Sequence, residues 1–405
     1  MKNALSSIVL SMLITAAPGF AQNPSAEIEK WKQIHFSIET IDTHCDLPMK
    51  MSWYDMGEEH DFGYIDLPRM LKGGLDGEFM AVYVPQNPLN DDGREGAFQK
   101  ANEMIDLIEK QCRANKQICD IGRSAKDFKE ITASGKVCIF IGIENGYAIG
   151  LDLNKLAHFY MRGVRYITLC HTADNDICDS STDENAPDDR GLSEFGIEVI
   201  KRMNDLGIII DVSHISRKSF FDVLKHSRKP VIASHSCINV IKDHPQNLTD
   251  EQLVALKDNG GVVHINLVRD HLRYPVEVPE MKEAMDAVMS WMESKGGYGK
   301  LNAEEKERFT KETRRIKLKY PRGVGLVSEF VDHIDYVRKL VGIDHVGIGT
   351  DFEGGGYLGD CYTVLDMPNI TGELLNRGYT KSEVEKIWSG NFLRVFREVE
   401  KAQVR

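Results

Sequence analysis

The chain has 405 residues, a formal net charge of −12 and 8 cysteines. That acidic balance argues against nucleic acid or an anionic membrane surface as the partner, and no basic run or basic–aromatic patch opposes it. The cysteines are too sparse for a disulfide scaffold and none has the C-x-x-C spacing of a zinc or redox site.

At the N-terminus, Lys2 precedes an apolar stretch from Ala4 to about Ala17, and Gly19-Phe20-Ala21 follows as a small-residue cleavage site. This is the layout of a secretory signal peptide over residues 1–21, with an apolar run too short to span a bilayer comfortably. An uncleaved anchor or a buried N-terminal helix is the other reading. The expectation is an exported protein, periplasmic or secreted, whose mature chain of residues 22–405 has no membrane span. The end of the chain, REVEKAQVR, has no apolar tail for a lipid anchor to replace.

Eight short apolar or β-branched segments bounded by turn residues then follow as strands. They are SIETIDTH (37–44), EFMAVYVP (78–85), VCIFIGIE (137–144), GVRYITLCH (163–171), IIIDVSH (208–214), VIASH (231–235), GVVHINL (261–267) and HVGIGTD (345–351). Amphipathic helices lie between most of them, for example 195–207 with a glycine stop and 250–261 between an aspartate start and two glycines. Eight alternations of strand and helix predict a single (β/α)8 TIM-type barrel. A doubly wound open sheet is the alternative, but no G-x-G-x-x-G follows an early strand. The charged, helix-prone stretch at about 279–322 is too short for its own core and reads as a helical insertion between strands 7 and 8. Its alternating charges are expected to be a solvated face. Cys138 and Cys170 fall in apolar runs and read as core, whereas Cys112 and Cys119 are close enough in sequence to pair.

The predicted strand ends carry a pattern. His44 ends the first, with Asp46 two residues on and on the same face. Glu144, His171, His214, His235 and Asp351 end five others. In a barrel these ends converge on the C-terminal mouth, where active sites of this fold are built. A lone histidine or carboxylate at a strand end is usually a local hydrogen-bonding group, and Asp42 and Asp211 are expected to be that. Four histidines and three carboxylates at one mouth would be costly to desolvate without a cation to organise them. Mixed imidazole and carboxylate donors suit zinc, and their number suits two metals sharing a carboxylate.

The strings IDTHCDLP, IDLPRMLKGGLDGEFMAVYVP, IGIENG, RGVRYITLCH, GLSEFGIEVIKRMNDLGIIIDVSHIS, ASHS and VGIGTDFEGG, in this order, closely resemble the membrane dipeptidase (renal dipeptidase) family of zinc peptidases, within the amidohydrolase-like barrels. The resemblance implies two Zn2+ per chain, with His44 and Asp46 on one, Glu144 bridging, and His214 and His235 on the other. It implies that His171 stabilises the tetrahedral intermediate beside the scissile carbonyl and that Asp351 exchanges protons with a water held between the metals. The implied activity is hydrolysis of dipeptides, with a D-residue tolerated on the C-terminal side, and family members often form homodimers. Two positions depart from the family pattern. Gln246, in DHPQNLTD, stands where a basic residue for the substrate carboxylate is usual, leaving His244 or Arg269 as replacements. Tyr147 stands where mammalian members have a histidine. Hydrolysis of another small amide, such as an acylated amino acid or a lactam, is the alternative this leaves open. A catalytically dead barrel acting as a binding protein is the remaining one, against which all seven chemical positions are intact.

Overall fold

The computed structural model describes residues 24–183 and 189–401; the expected signal peptide lies outside them. Nine strands form one sheet: β1 Ile41–Cys45, β2 Gly77–Tyr83, β3 Cys119–Ile121, β4 Val137–Glu144, β5 Val164–Thr168, β6 Ile209–Asp211, β7 Ile232–Ala233, β8 Val262–Ile265 and β9 Val346–Ile348. All pairs are parallel, in the order β1-β2-β4-β5-β6-β7-β8-β9. β3, which sequence periodicity missed, pairs with the start of β4, opposite Val137–Ile139, while β5 pairs with its end. A bridge between Cys45 and Phe352 closes the ring, with Asp46 N donating to Phe352 O at 2.9 Å and Asp351 N to His44 O at 3.1 Å. The fold is the expected TIM-type (β/α)8 barrel.

Strand lengths differ from the sequence expectation for a physical reason. The segment 231–235 keeps only two ladder residues, because side chains intercept the next backbone donors. Ser234 N donates to Asp211 Oδ1 at 2.8 Å and His235 N to Ser213 Oγ at 3.1 Å. The loss of ladder bonds turns the chain so that His235 faces the mouth.

The helices follow their local signals. Glu194–Leu206 starts on the Ser193 cap and stops at Gly207 in the left-handed region, and Asp250–Asn259 starts on a Thr249–Gln252 capping box. The barrel floor is filled by Phe79, Phe140, Tyr166, Ile209, Ile232 and Val262, sealed from below by Phe392 and Phe396 of the C-terminal helix Asn391–Glu400. Phe79 lies 4.7 Å from Phe140 and 5.2 Å from Phe392 between ring centroids. The floor is close-packed and mostly apolar, although the buried His264 ring lies in it 5.9 Å from Phe392, and the cluster of site residues gathers in the layer above.

The insertion is a helical hairpin, Pro279–Ser294 and Ala303–Lys319. The first of these helices buries no residue, as expected of a solvated element. The second differs from expectation. Three of its cations lie on loops of the mouth: Lys311 on Asp61 at 3.3 Å, Arg314 on the Asp61 carbonyl, and Lys317 over the Tyr357 ring at 4.3 Å. All eight cysteines are free and buried, so Cys112 and Cys119 are adjacent thiols rather than a disulfide. Among the described residues no helix is long and apolar enough to cross a membrane.

Candidate metal centre and active site

The seven residues expected from the strand ends are brought together. His44 lies in β1 and Asp46 just beyond it, while Glu144 is the last residue of β4. His171, His214, His235 and Asp351 sit on the turns that follow β5, β6, β7 and β9. Glu144 is the centre of the arrangement. Its Oε2 lies 3.6 Å from His44 Nε2, and its Oε1 lies 3.1 Å from His214 Nε2, 3.5 Å from His235 Nε2 and 3.7 Å from His171 Nε2. One carboxylate thus turns its two oxygens toward two different sets of imidazoles. Asp46 Oδ2 is 3.8 Å from His44 Nε2, and Asp351 completes a group with His44 and Asp46.

These spacings fit an ion better than direct hydrogen bonds. His44 Nε2 and Asp46 Oδ1 are buried without a hydrogen-bond partner, and such orphans are normally paired. The Nε2 atoms of His214 and His235 face each other at 2.7 Å, close for two lone pairs unless a proton or a cation lies with them. Three groups whose ligand atoms lie within 4.8 Å of one another can be drawn: His44–Glu144–His235, Glu144–His171–His214 and His44–Asp46–Asp351. Nitrogen and carboxylate donors of this kind match zinc and its neighbours.

The electrostatics agree. Burial opposes protonation of His44, yet Glu144, Asp46 and Asp351 hold its pKa up at about 10. The cluster therefore demands positive charge at that nitrogen, which a divalent ion would supply. Burial and the neighbouring Glu144 raise Asp351 to about 6 and carry Asp46 well above the usual carboxylate range. Burial and the adjacent His214 lower His171 to about 4, so its ring is neutral at pH 7. Burial, then His44 and His214, push His235 well below its ordinary value.

A second layer orients the first. His235 Nδ1 donates to Ser234 Oγ at 2.8 Å, because that hydroxyl is itself spent on Asp211 Oδ2 at 2.6 Å. This places the His235 proton on Nδ1 and leaves Nε2 as an electron-pair donor. His44 Nδ1 pairs with the Tyr166 hydroxyl at 2.9 Å. Tyr166 has room only because residue 142 is glycine; a Cβ there would overlap its ring. Asp42 ties β1 to β9, accepting from Thr350 N at 2.7 Å and His44 N at 3.3 Å. The bond to His44 N is the local role expected of Asp42, whereas the bond to Thr350 is long-range; Asp211 orients His235 through Ser234, as expected. Among the described residues four non-glycines adopt positive φ: Asn145, His214, Asp351 and Glu353. Two are cluster residues and the others follow Glu144 and Asp351, which is where strain held by a functional site would lie.

The cavity above the cluster has a volume of about 320 Å³ and includes Tyr83, Met49, Gln246, Val268 and His271 in its lining. Gln246 lies in the site as expected, with Nε2 3.2 Å from His214 Nε2. The other positions considered at the substrate end are elsewhere. Tyr147 is buried and donates to Pro88 O at 2.8 Å, and Arg269 pairs with Asp270 at 3.0 Å outside this cavity. His244 supports Gln246 from behind, its Nδ1 accepting from Gln246 N at 3.2 Å. His271 was not anticipated. It lies in a short helix after β8, six residues past the strand, where only its residue type hints at a role.

A (β/α)8 barrel whose mouth gathers imidazoles around a shared carboxylate has the donor set of a metal-dependent enzyme. The membrane dipeptidase family, peptidase family M19, matches residues 28–405, and the chain belongs to it. It is a peptide-bond hydrolase of the metallodipeptidase type. Dipeptidase tcpJ of Claviceps purpurea (strain 20.1) is 30% identical over 372 residues, 89% of this chain and 76% of that protein. Dipeptidase ataJ of Aspergillus terreus (strain NIH 2624 / FGSC A1156) is 28% identical over 422 residues, covering 95% and 90%. The crystal structure of the probable dipeptidase PvdM from Pseudomonas aeruginosa is similar at a TM-score of 0.78 and 29% identity, covering 94% of this chain and 100% of that one.

Proposed function

We propose that the chain is an exported dinuclear zinc dipeptidase that cleaves the amide of small dipeptides, including those with a C-terminal D-residue. The observation that carries this reading is the two-sided Glu144 carboxylate, with His44 and Asp46 on one flank and His214 and His235 on the other. In this reading His44 and Asp46 would hold one ion and His214 and His235 the other, with Glu144 available to both. Zinc, when bound, supplies Lewis acidity toward the carbonyl and hydroxide at neutral pH.

The chain's own groups do the rest. His171, neutral and packed edge-on against Tyr83 at 4.8 Å, presents a hydrogen-bond donor to the oxygen of the scissile carbonyl as negative charge develops there. Asp351, with its affinity for a proton raised toward neutrality, takes the proton of the attacking water and returns it to the leaving amine. The small cavity suits a two-residue substrate. Export follows from residues 1–21.

The test is metal analysis together with hydrolysis of L-L and L-D dipeptides, with and without chelator. Two zincs per chain and chelator-sensitive cleavage are expected. Full activity in the metal-free protein would refute the reading.

A further inference from the structure

The cavity above the cluster has an uneven charge. Its acidic lining residues are Asp46, Glu144 and Asp351, and no lysine or arginine of the described residues lines it. Cations around the mouth are engaged elsewhere: Lys50 on Glu353, Arg269 on Asp270, Lys311 on Asp61 and Lys317 over the Tyr357 ring. A free substrate carboxylate therefore meets no protein cation in this pocket.

It meets two neutral donors instead. Asn266 Oδ1 accepts from Val268 N at 3.1 Å, which settles the orientation of that amide. Its Nδ2 then donates to His235 O at 3.1 Å and to His271 Nδ1 at 3.0 Å. A ring nitrogen that accepts a hydrogen bond carries no proton, so the neutral His271 imidazole keeps its proton on Nε2. Among the described residues Nε2 has no partner. The ring is held against His244, 4.2 Å between centroids, and Asn247 Nδ2 donates to the His271 carbonyl at 2.8 Å. Burial, then His244, hold the ring neutral at working pH. Gln246 is the second donor. His214 Nε2 cannot accept from Gln246 Nε2 and bind a cation together, so the buried Gln246 amide is available to a substrate oxygen.

We infer that Gln246 and His271 are the specificity-determining pair of this pocket, two uncharged N–H donors for an oxygen of the substrate's C-terminal residue, so that dipeptides with a free carboxylate and dipeptides capped as an amide or ester are hydrolysed with similar efficiency. The inference rests on the dipeptidase reading above and adds the substrate class. The physical reason is that an N–H donor serves a carbonyl oxygen nearly as well as a carboxylate oxygen, whereas a guanidinium fork strongly favours the carboxylate.

The experiment compares L-Ala-D-Ala with its C-terminal amide on the zinc-loaded protein, alongside calorimetric binding of a phosphinate dipeptide analogue in acid and amide forms. Acid and amide are expected within about tenfold of each other in both kcat/KM and affinity. Gln246→Arg is expected to shift both ratios at least tenfold toward the acid. His271→Leu should raise KM about tenfold for both substrates with kcat nearly kept, and His271→Gln, which retains an N–H donor, should recover most of the loss. A thousandfold preference for the acid in the unmodified protein overturns the inference and leaves the dipeptidase reading standing. Cleavage of neither substrate overturns the dipeptidase reading, and the affinity ratio of the two analogues then still decides the inference.

Discussion

Removing one hydroxyl, Ser234→Ala, tests whether the second layer sets the metal affinity. Ser234 Oγ receives the His235 Nδ1 proton at 2.8 Å and passes its own to Asp211 Oδ2 at 2.6 Å. The variant leaves Asp211 well satisfied, because Ser213 N, Ser234 N and Thr168 Oγ1 still donate to it. The loss therefore falls on His235, which is 1% exposed and out of reach of replacement water. A buried N–H without a partner costs about 1–3 kcal/mol. The imidazole avoids that cost by moving its proton to Nε2, the atom 3.5 Å from Glu144 Oε1 that has to stay unprotonated to hold an ion. Loss of such an outer partner lowers metal affinity about 10–100-fold, or about 1.4–2.7 kcal/mol. Zinc competition against a chromophoric chelator measures this directly, and melting in excess chelator separates any cost to the fold. A folded Ser234→Ala protein whose zinc affinity stays within about twofold of the parent would refute the relay argument.

Asp351→Asn should keep both metals and lose turnover by about 10²–10⁴-fold, because the amide cannot relay a proton; metal analysis beside steady-state rates checks it, and near-parent rates would remove Asp351 from the reaction. His44→Ala should lose bound metal, so retention of two zincs by the dialysed variant would show that His44 is not a ligand. Glu78 is buried in β2 with both carboxylate oxygens unpaired, and burial, then the nearby Asp42, raises its pKa well above normal. The folded chain therefore holds a proton that the unfolded chain releases above about pH 4.5, and stability is lost as pH rises toward the folded pKa. Glu78→Gln removes that penalty, so its gain in melting temperature over the parent should be larger at pH 8 than at pH 5. An equal difference at both pH values would contradict the assignment.

The composition of the site was legible in the sequence, whereas its wiring was not. Hydrophobic runs ending in His44, Glu144, His171, His214, His235 and Asp351 repeat a local rule: parallel strands point their C-terminal ends to one mouth, so strand-end chemistry gathers there whatever the details of packing. Length and alternation determined the barrel for the same reason. What escaped is what depends on register between strands. Tyr166 reaches His44 across 122 positions of sequence, and Asp42 reaches Thr350 across 308. Ser234 and Asp211 meet because β6 and β7 pair at Asp211 and Ile232, which a one-residue slip would undo. The shortened β7, the glycine at 142 that admits the Tyr166 ring and the tautomer of His271 belong to the same category. So does the displacement of Arg269 and Tyr147 from the pocket, two residues whose sequence positions are as close to the site as those of Gln246 and His271. Residue type and strand direction are encoded locally and alone determined which groups arrive at the mouth. Their hydrogen-bond partners, protonation and spacing are relations between distant segments, decided only when the closed sheet set its register.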